Sequence, residues 1–245
     1  PKVEKLDIYY SIDGGTSWKE IAKDNSDSGL LLWEIPNEIS TNAKLRIIAK
    51  EQYGYADTVE VENLKIEIAY PTIVSITPKS YDIWWRNTEF NFITSISVDP
   101  ARVSKESVVI TSPNANYDYS VKLIQGLNDT IQVTFNQFLV TYDTIQFKID
   151  ASKIESKYGY GLDGNQDGTP GDDYTVMKKV HLPIDYDYSG TINSSDVSLF
   201  VDYFKSNEPG AETGPLSSGT VPYVVIAPDG KYDIDDMLTF VQFGN

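Results

Sequence analysis

The residues whose types and spacing carry chemistry lie near the C-terminus, in Asp185-Tyr186-Asp187-Tyr188-Ser189-Gly190-Thr191-Ile192-Asn193-Ser194-Ser195-Asp196. With Asp185 as position 1, oxygen-bearing side chains fall at positions 1, 3, 5, 9 and 12, glycine at 6 and isoleucine at 8. Alternate residues of a tight loop turn inward, so this spacing surrounds one hard cation with oxygen, which is the coordination Ca²⁺ takes. Asp185, Asp187, Ser189 and Asp196 would ligate through their side chains, Asn193 through a water and Thr191 through its backbone carbonyl. Gly190 stands where the chain must turn sharply, and Ile192 can anchor the loop to a core. Asp196 would also begin a helix, where negative charge is favoured.

The stretch that follows fits that helix. Val197, Phe200, Val201 and Phe204 recur at i, i+3, i+4 and i+7, which is one helical face, and Ile234, Met237, Leu238 and Val241 repeat the spacing. Residues 207–220 are rich in Gly, Pro and Ser and read as a loop. The segment has the spacing of an EF-hand loop and resembles a dockerin. That family carries two such loop–helix units in tandem, each loop ending in Asp, and binds a cohesin partner. The resemblance implies that Ser194 and Ser195, at loop positions 10 and 11, contact that partner. In the second unit Asp229-Gly230-Lys231-Tyr232-Asp233-Ile234-Asp235-Asp236 aligns with positions 5–12, which puts Val225 and Ala227 at positions 1 and 3. Neither supplies a side-chain oxygen, so whether Asp229, Asp233 and Asp236 hold an ion stays open.

A second oxygen-rich stretch is Asp163-Gly164-Asn165-Gln166-Asp167-Gly168-Thr169-Pro170-Gly171-Asp172-Asp173. Asp163, Asn165 and Asp167 stand at positions 1, 3 and 5 before a glycine, which is a calcium-loop start. Position 12 is Tyr174, so Asp172 or Asp173 must reach back. The stretch resembles the L-D-G-x-x-D-G-T-P-G-x-D-Y ending of bacterial Ig-like domains, which joins their last two strands. A Gly/Asp-rich turn held by its own side chains is the alternative.

The elements that must position these loops are short strands. In residues 1–70 candidates run over 6–10, 30–35, 44–49, 59–62 and 64–68, parted by Asp13-Gly14-Gly15, Asp27-Ser28-Gly29 and Tyr53-Gly54. Residues 71–182 add 72–77, 89–98, 107–111, 119–125, 130–135, 144–149 and 173–180. The expected fold is mostly β: two Ig-like β-sandwiches in tandem (1–70 and 71–182), then a small α-helical dockerin-like calcium-binding module (183–245). Ser11-Ile12-Asp13-Gly14-Gly15-Thr16-Ser17-Trp18 resembles an Asp-box, a hairpin turn whose role is structural; one copy cannot build a propeller. Trp84-Trp85 offers a stacking surface for a sugar ring, although neighbours on a strand point to opposite faces.

Composition narrows the function. Of 245 residues, 36 are Asp or Glu against 20 Lys or Arg, a net charge of −16, which makes binding to nucleic acid or anionic lipid unfavourable. There is no cysteine and one histidine, His181, so disulfides, thiolate zinc sites and multi-histidine metal sites are excluded. No apolar run approaches the about 18–20 residues of a membrane span. G-x-S-x-G, H-E-x-x-H and P-loop motifs are absent. The start Pro1-Lys2-Val3 reads as an internal piece of a longer polypeptide. The expected protein is a non-catalytic, Ca²⁺-stabilised fragment of an extracellular or cell-surface bacterial protein. It would attach to a cohesin-like protein or a neighbouring subunit, or fold back on its own sandwich. A polysaccharide-binding accessory region and a surface-layer or filament subunit are the alternatives.

Overall fold

A computed structural model describes residues 3–36, 38–126 and 129–243. It divides into two units, Pro1–Ala69 and Tyr70–Asn245. The chain is mostly β, with several antiparallel sheets and two α-helices. Among the described residues no helix is long and apolar enough to cross a membrane.

The first unit is one antiparallel sheet of β1 (Val3–Ser11), β2 (Lys19–Ser26), β3 (Ser40–Glu51) and β4 (Ala56–Ile66), in the order β2-β1-β3-β4. The β1–β2 turn closes through Asp13, whose carboxylate accepts from Ser17 N at 2.9 Å, Ser17 Oγ at 2.6 Å and Ser11 Oγ at 2.7 Å. Trp18 lies under the Arg46 guanidinium, 3.8 Å from its ring centre. A sandwich needs two facing sheets; the described residues of this unit form one, which corrects the expectation for 1–70. Residues 30–35, expected as a strand, pair with neither sheet edge, and Leu30 and Leu32 are 72% and 88% exposed. The two strands expected over 59–68 are the single β4, which absorbs a bulge at Asn63 (φ 58°), a residue type that tolerates left-handed backbone. Only Ile8 and Ala43 are buried apolar residues among those described in this unit.

The second unit is a two-sheet sandwich. Its strands are β5 (Ile73–Thr77), β6 (Asp82–Ile83), β7 (Glu89–Thr94), β8 (Val108–Thr111), β9 (Tyr119–Ile124), β10 (Thr130–Phe135), β11 (Thr144–Ile149) and β12 (Tyr174–Val180). One sheet runs β5-β7-β10-β9 and the other β6-β12-β11-β8. Inward residues alternate, as in Phe90 and Phe92, Ile131, Val133 and Phe135, and Ile145, Phe147 and Ile149. Phe147 meets Phe90, Phe92 and Phe135 from the facing sheet at 4.7, 5.6 and 6.0 Å between ring centres. Each such ring removed from water contributes about 1.5–3 kcal/mol. Lys178 is buried against the turn before β6, where its Nζ donates to the carbonyls of Pro78, Lys79 and Ser80.

The C-terminal segment belongs to this same unit. It comprises α1 (Ser194–Ser206), a hairpin of β13 (Leu216–Thr220) and β14 (Tyr223–Ile226), and α2 (Ile234–Phe243). The stretch read as a loop therefore holds a strand. Phe200, Ala211, Val224, Ile226 and Phe243 join the sandwich core. Neither helix buries its whole apolar stripe. Phe200 points in, while Val197, Val201 and Phe204 are exposed. Helix α2 buries Asp236, Thr239 and Phe243 and exposes Ile234, Met237 and Leu238.

Candidate metal centre

The exit from β12 fixes the first loop. His181 N donates to Ile83 O at 2.9 Å, and Ile184 is fully buried, so Asp185 starts the loop from a rigid base. Tyr188 (φ 58°) and Gly190 (φ 80°) then fold the chain back; the left-handed backbone at Gly190 is strained for residues with a Cβ. The folded loop turns its N–H groups onto Asp185, which accepts from Ser189 N at 3.0 Å and Gly190 N at 2.9 Å. Asp187 accepts from Ser189 N at 3.0 Å. Asn193 caps α1 by accepting from Ser195 N, and Asp196 closes the loop by accepting from Asn193 N at 2.8 Å and Tyr186 N at 2.9 Å.

One carboxylate oxygen each of Asp185, Asp187 and Asp196 lies within 4.8 Å of the others. Oxygens about 2.4 Å from one Ca²⁺ are at most about 4.8 Å apart, so the three fit a single coordination sphere. Ser189 Oγ donates to Thr191 O at 2.9 Å, which sets the two neutral candidate ligands side by side. Asp185 and Asp196 are buried and Asp187 is exposed. Burial, with the charge of Asp196, pushes the Asp185 carboxyl above the ordinary carboxylate range, while hydrogen bonds from Ser189 hold Asp187 below it. A buried carboxylate beside another is the group that a cation relieves most.

Aromatic residues brace the loop from outside, and these contacts were not read from the sequence. His181 packs edge-on to Tyr188 at 4.8 Å, with Nδ1 3.7 Å from Asp185 Oδ2, and Trp84 meets Tyr188 at 5.9 Å. A cleft of about 180 Å³, lined by Asp82, Tyr142, Lys179, His181 and Tyr188, opens onto Asp185. Trp85 is fully buried and Trp84 half-buried, so the pair does not form an open sugar platform. The aromatic residue at position 4 was the available signal for such bracing.

The 163 loop repeats the geometry. Asp163 accepts from Asp167 N at 3.2 Å and Gly168 N at 2.9 Å, and Asn165 accepts from Asp167 N at 2.9 Å. Gln166 (φ 63°) and Gly168 (φ 89°) take the roles of Tyr188 and Gly190. Asp163, Asp167 and Asp172 place an oxygen each within 4.8 Å of one another. The chain returns as a strand, with Gly164 N donating to Asp172 O at 2.9 Å, so Asp172 stands where a helix-borne ligand would. Asp173 is not in the group: it accepts from Lys148 Nζ at 2.8 Å and Ala151 N at 2.9 Å. These two are the acidic groups of this kind among the described residues.

Ser194 and Ser195 are exposed at the start of α1. Val225 lies in β14 opposite Ser218, so a continuous second loop beginning at Val225 is not what the chain forms.

No family model matches the sequence, and no curated protein matches it. Among solved structures the chain is similar to the crystal structure of the N-terminal part of the bacterial S-layer protein SbsC, at 18% identity and a TM-score of 0.33. The match covers 47% of this chain and 24% of that one, so it spans about a quarter of the other protein's length.

Proposed function

We propose that this chain is a non-catalytic attachment segment of an extracellular or cell-surface bacterial protein, stabilised by Ca²⁺ at Asp185, Asp187, Ser189, Thr191, Asn193 and Asp196. In this reading residues 183–245 are a dockerin-like module, residues 71–182 an Ig-like sandwich, and the 163 loop is a second Ca²⁺ site that stiffens the connection before β12. The partner is a cohesin-type protein that meets Ser194, Ser195 and the exposed helix faces.

One observation carries it: α1 and α2 each bury an acid and a phenylalanine and leave most of their aliphatic stripe exposed. Asp196 and Asp236 are buried while Val197, Val201, Phe204, Ile234, Met237 and Leu238 are exposed. The buried acids are accounted for by the loop N–H groups they accept, whereas apolar side chains left in water on a helix face suit a docking surface. Removing the ion would loosen the loop that sets α1, so attachment should depend on calcium.

The test is binding of the whole chain to purified cohesin modules, with calcium and with chelator, alongside V201D and L238D. Calcium-dependent binding that either substitution abolishes, in proteins that remain folded, supports the reading. Absence of binding by the folded, calcium-loaded chain, or concentration-dependent self-association lost in the same variants, points instead to an assembly subunit.

A further inference from the structure

We propose that residues 212–243 are a second copy of the loop–helix unit, split by the β13–β14 hairpin, and that this copy closes on backbone donors and protein cations rather than on a metal ion. The hydrogen bonds that the first loop makes to positions 1, 9 and 12 recur. Glu212 accepts from Asp229 N at 2.5 Å and Gly230 N at 2.9 Å, as Asp185 does from Ser189 and Gly190. Asp236 Oδ1 accepts from Thr213 N at 2.8 Å and Gly214 N at 3.0 Å, as Asp196 Oδ1 does from Tyr186 and Asp187. Asp236 Oδ2 accepts from Asp233 N at 2.9 Å, as Asp196 Oδ2 does from Asn193. Asp233 accepts from Asp235 N, as Asn193 does from Ser195, and Gly230 has φ 81° against 80° at Gly190. Glu212, Thr213 and Gly214 are thus positions 1–3, Asp229 is position 5, and residues 215–228 fill the place of Tyr188.

The ligand set did not survive the split. Position 3 is Gly214, where a Cβ would come within 2.6 Å of the Asp235 carbonyl carbon and of Asp236 N, so no side-chain ligand fits there. Asp229 turns its carboxylate to Lys231, accepting from Lys231 N at 3.0 Å and pairing with Nζ at 3.3 Å. From the sandwich, Arg86 lies over Trp85 and donates from Nη2 to Glu212 O at 2.8 Å. One cation thus holds the Glu212 backbone and another pairs with Asp229, and the three acids of this copy do not converge as those of the first loop do.

The inserted hairpin ties this copy to the sandwich. Thr141 N donates to Val224 O at 2.9 Å, while its hydroxyl donates to Pro222 O and accepts from Val224 N at 3.1 Å. Thr141, Val224 and Ile226 are buried. The tail therefore has one half that calcium can set, ending in α1, and one half that the sandwich sets, ending in α2. Calcium would reshape only the α1 side of the exposed helical surface.

Hydrogen exchange on the whole chain tests this, read at amides 229 and 230 in wild type and E212A, each with calcium and with chelator. The expected result is no chelator effect on these amides in wild type and exchange faster by about tenfold or more in E212A under both conditions. Faster exchange there in wild type on chelation, or no change in E212A, overturns the proposal. If E212A does not fold, E212Q keeps the oxygen acceptor and removes the charge. Native mass spectrometry should then count as many calcium ions as in wild type, and one ion fewer overturns the proposal. Amides 189 and 190 in the same spectra report on the first loop separately, so a failure of its calcium reading is distinguishable.

Discussion

The carboxylate of Asp196 reaches back ten residues to accept the backbone N–H of Tyr186 at 2.9 Å. That bond joins the start of α1 to the start of the loop, and the second oxygen of Asp196 holds Asn193 N. Asp196 therefore organises the loop through both of its carboxylate oxygens. In Asp196→Asn one oxygen becomes an N–H donor facing donors. The expected loss is about 2–3 kcal/mol of unfolding free energy, since bonds to charged groups contribute about 1.5–3 kcal/mol each. Urea unfolding followed by near-UV circular dichroism checks this; a variant within roughly 0.5 kcal/mol of wild type contradicts it.

Asp13 gives the first unit an acid-sensitive turn. Hydrogen bonds from the Ser17 side chain and backbone, then from Ser11, hold its carboxyl well below the usual carboxylate range. A group lowered in the folded state stabilises fully above the unfolded value, and that contribution is lost as pH falls below it toward the folded one. The thermal stability of this unit should therefore drop below about pH 4 in wild type, and less steeply in Asp13→Asn. Parallel pH profiles for the two proteins would show that the turn does not depend on this charge.

Lys178 is 2% exposed and its ammonium caps three carbonyls of the turn before β6. Lys178→Met keeps most of the volume and removes every donor. Hydrogen bonds from a charged donor contribute about 1.5–3 kcal/mol each, so the sandwich should lose about that much in chemical denaturation. An unchanged midpoint and slope would mean that water replaces the ammonium.

Much of the second unit was legible in the sequence because its two sheets face each other. Burial on one side imposes period-two alternation, and β7, β10 and β11 carry it plainly. The single sheet of the first unit lacks that constraint, so apolar residues 30–35 looked like a strand that finds no partner edge. The turns at 163 and 185 were legible because the carboxylates that close them are local, four or five residues from the N–H groups they accept. The place of Asp173 was not, since Lys148 competes for it from another strand. Glu212 was invisible because it lies 17 residues from the amide of Asp229, across an insertion that breaks the spacing. The outward apolar face of α2 was hidden for a related reason: helical period gives a stripe, and the buried bonds of Asp236 decide which way it points.

Calorimetric titration of Ca²⁺ into the whole chain, compared with the Asp185→Ala/Asp187→Ala double variant, tests the central claim most directly. Wild type should bind calcium and melt higher with it, by about 2.7 kcal/mol of stabilisation at a hundredfold excess over Kd. The double variant should lose one ion and the chelator response of residues 185–206. An equal number of bound ions in the two proteins, or a wild-type chain that takes up no calcium, would contradict it.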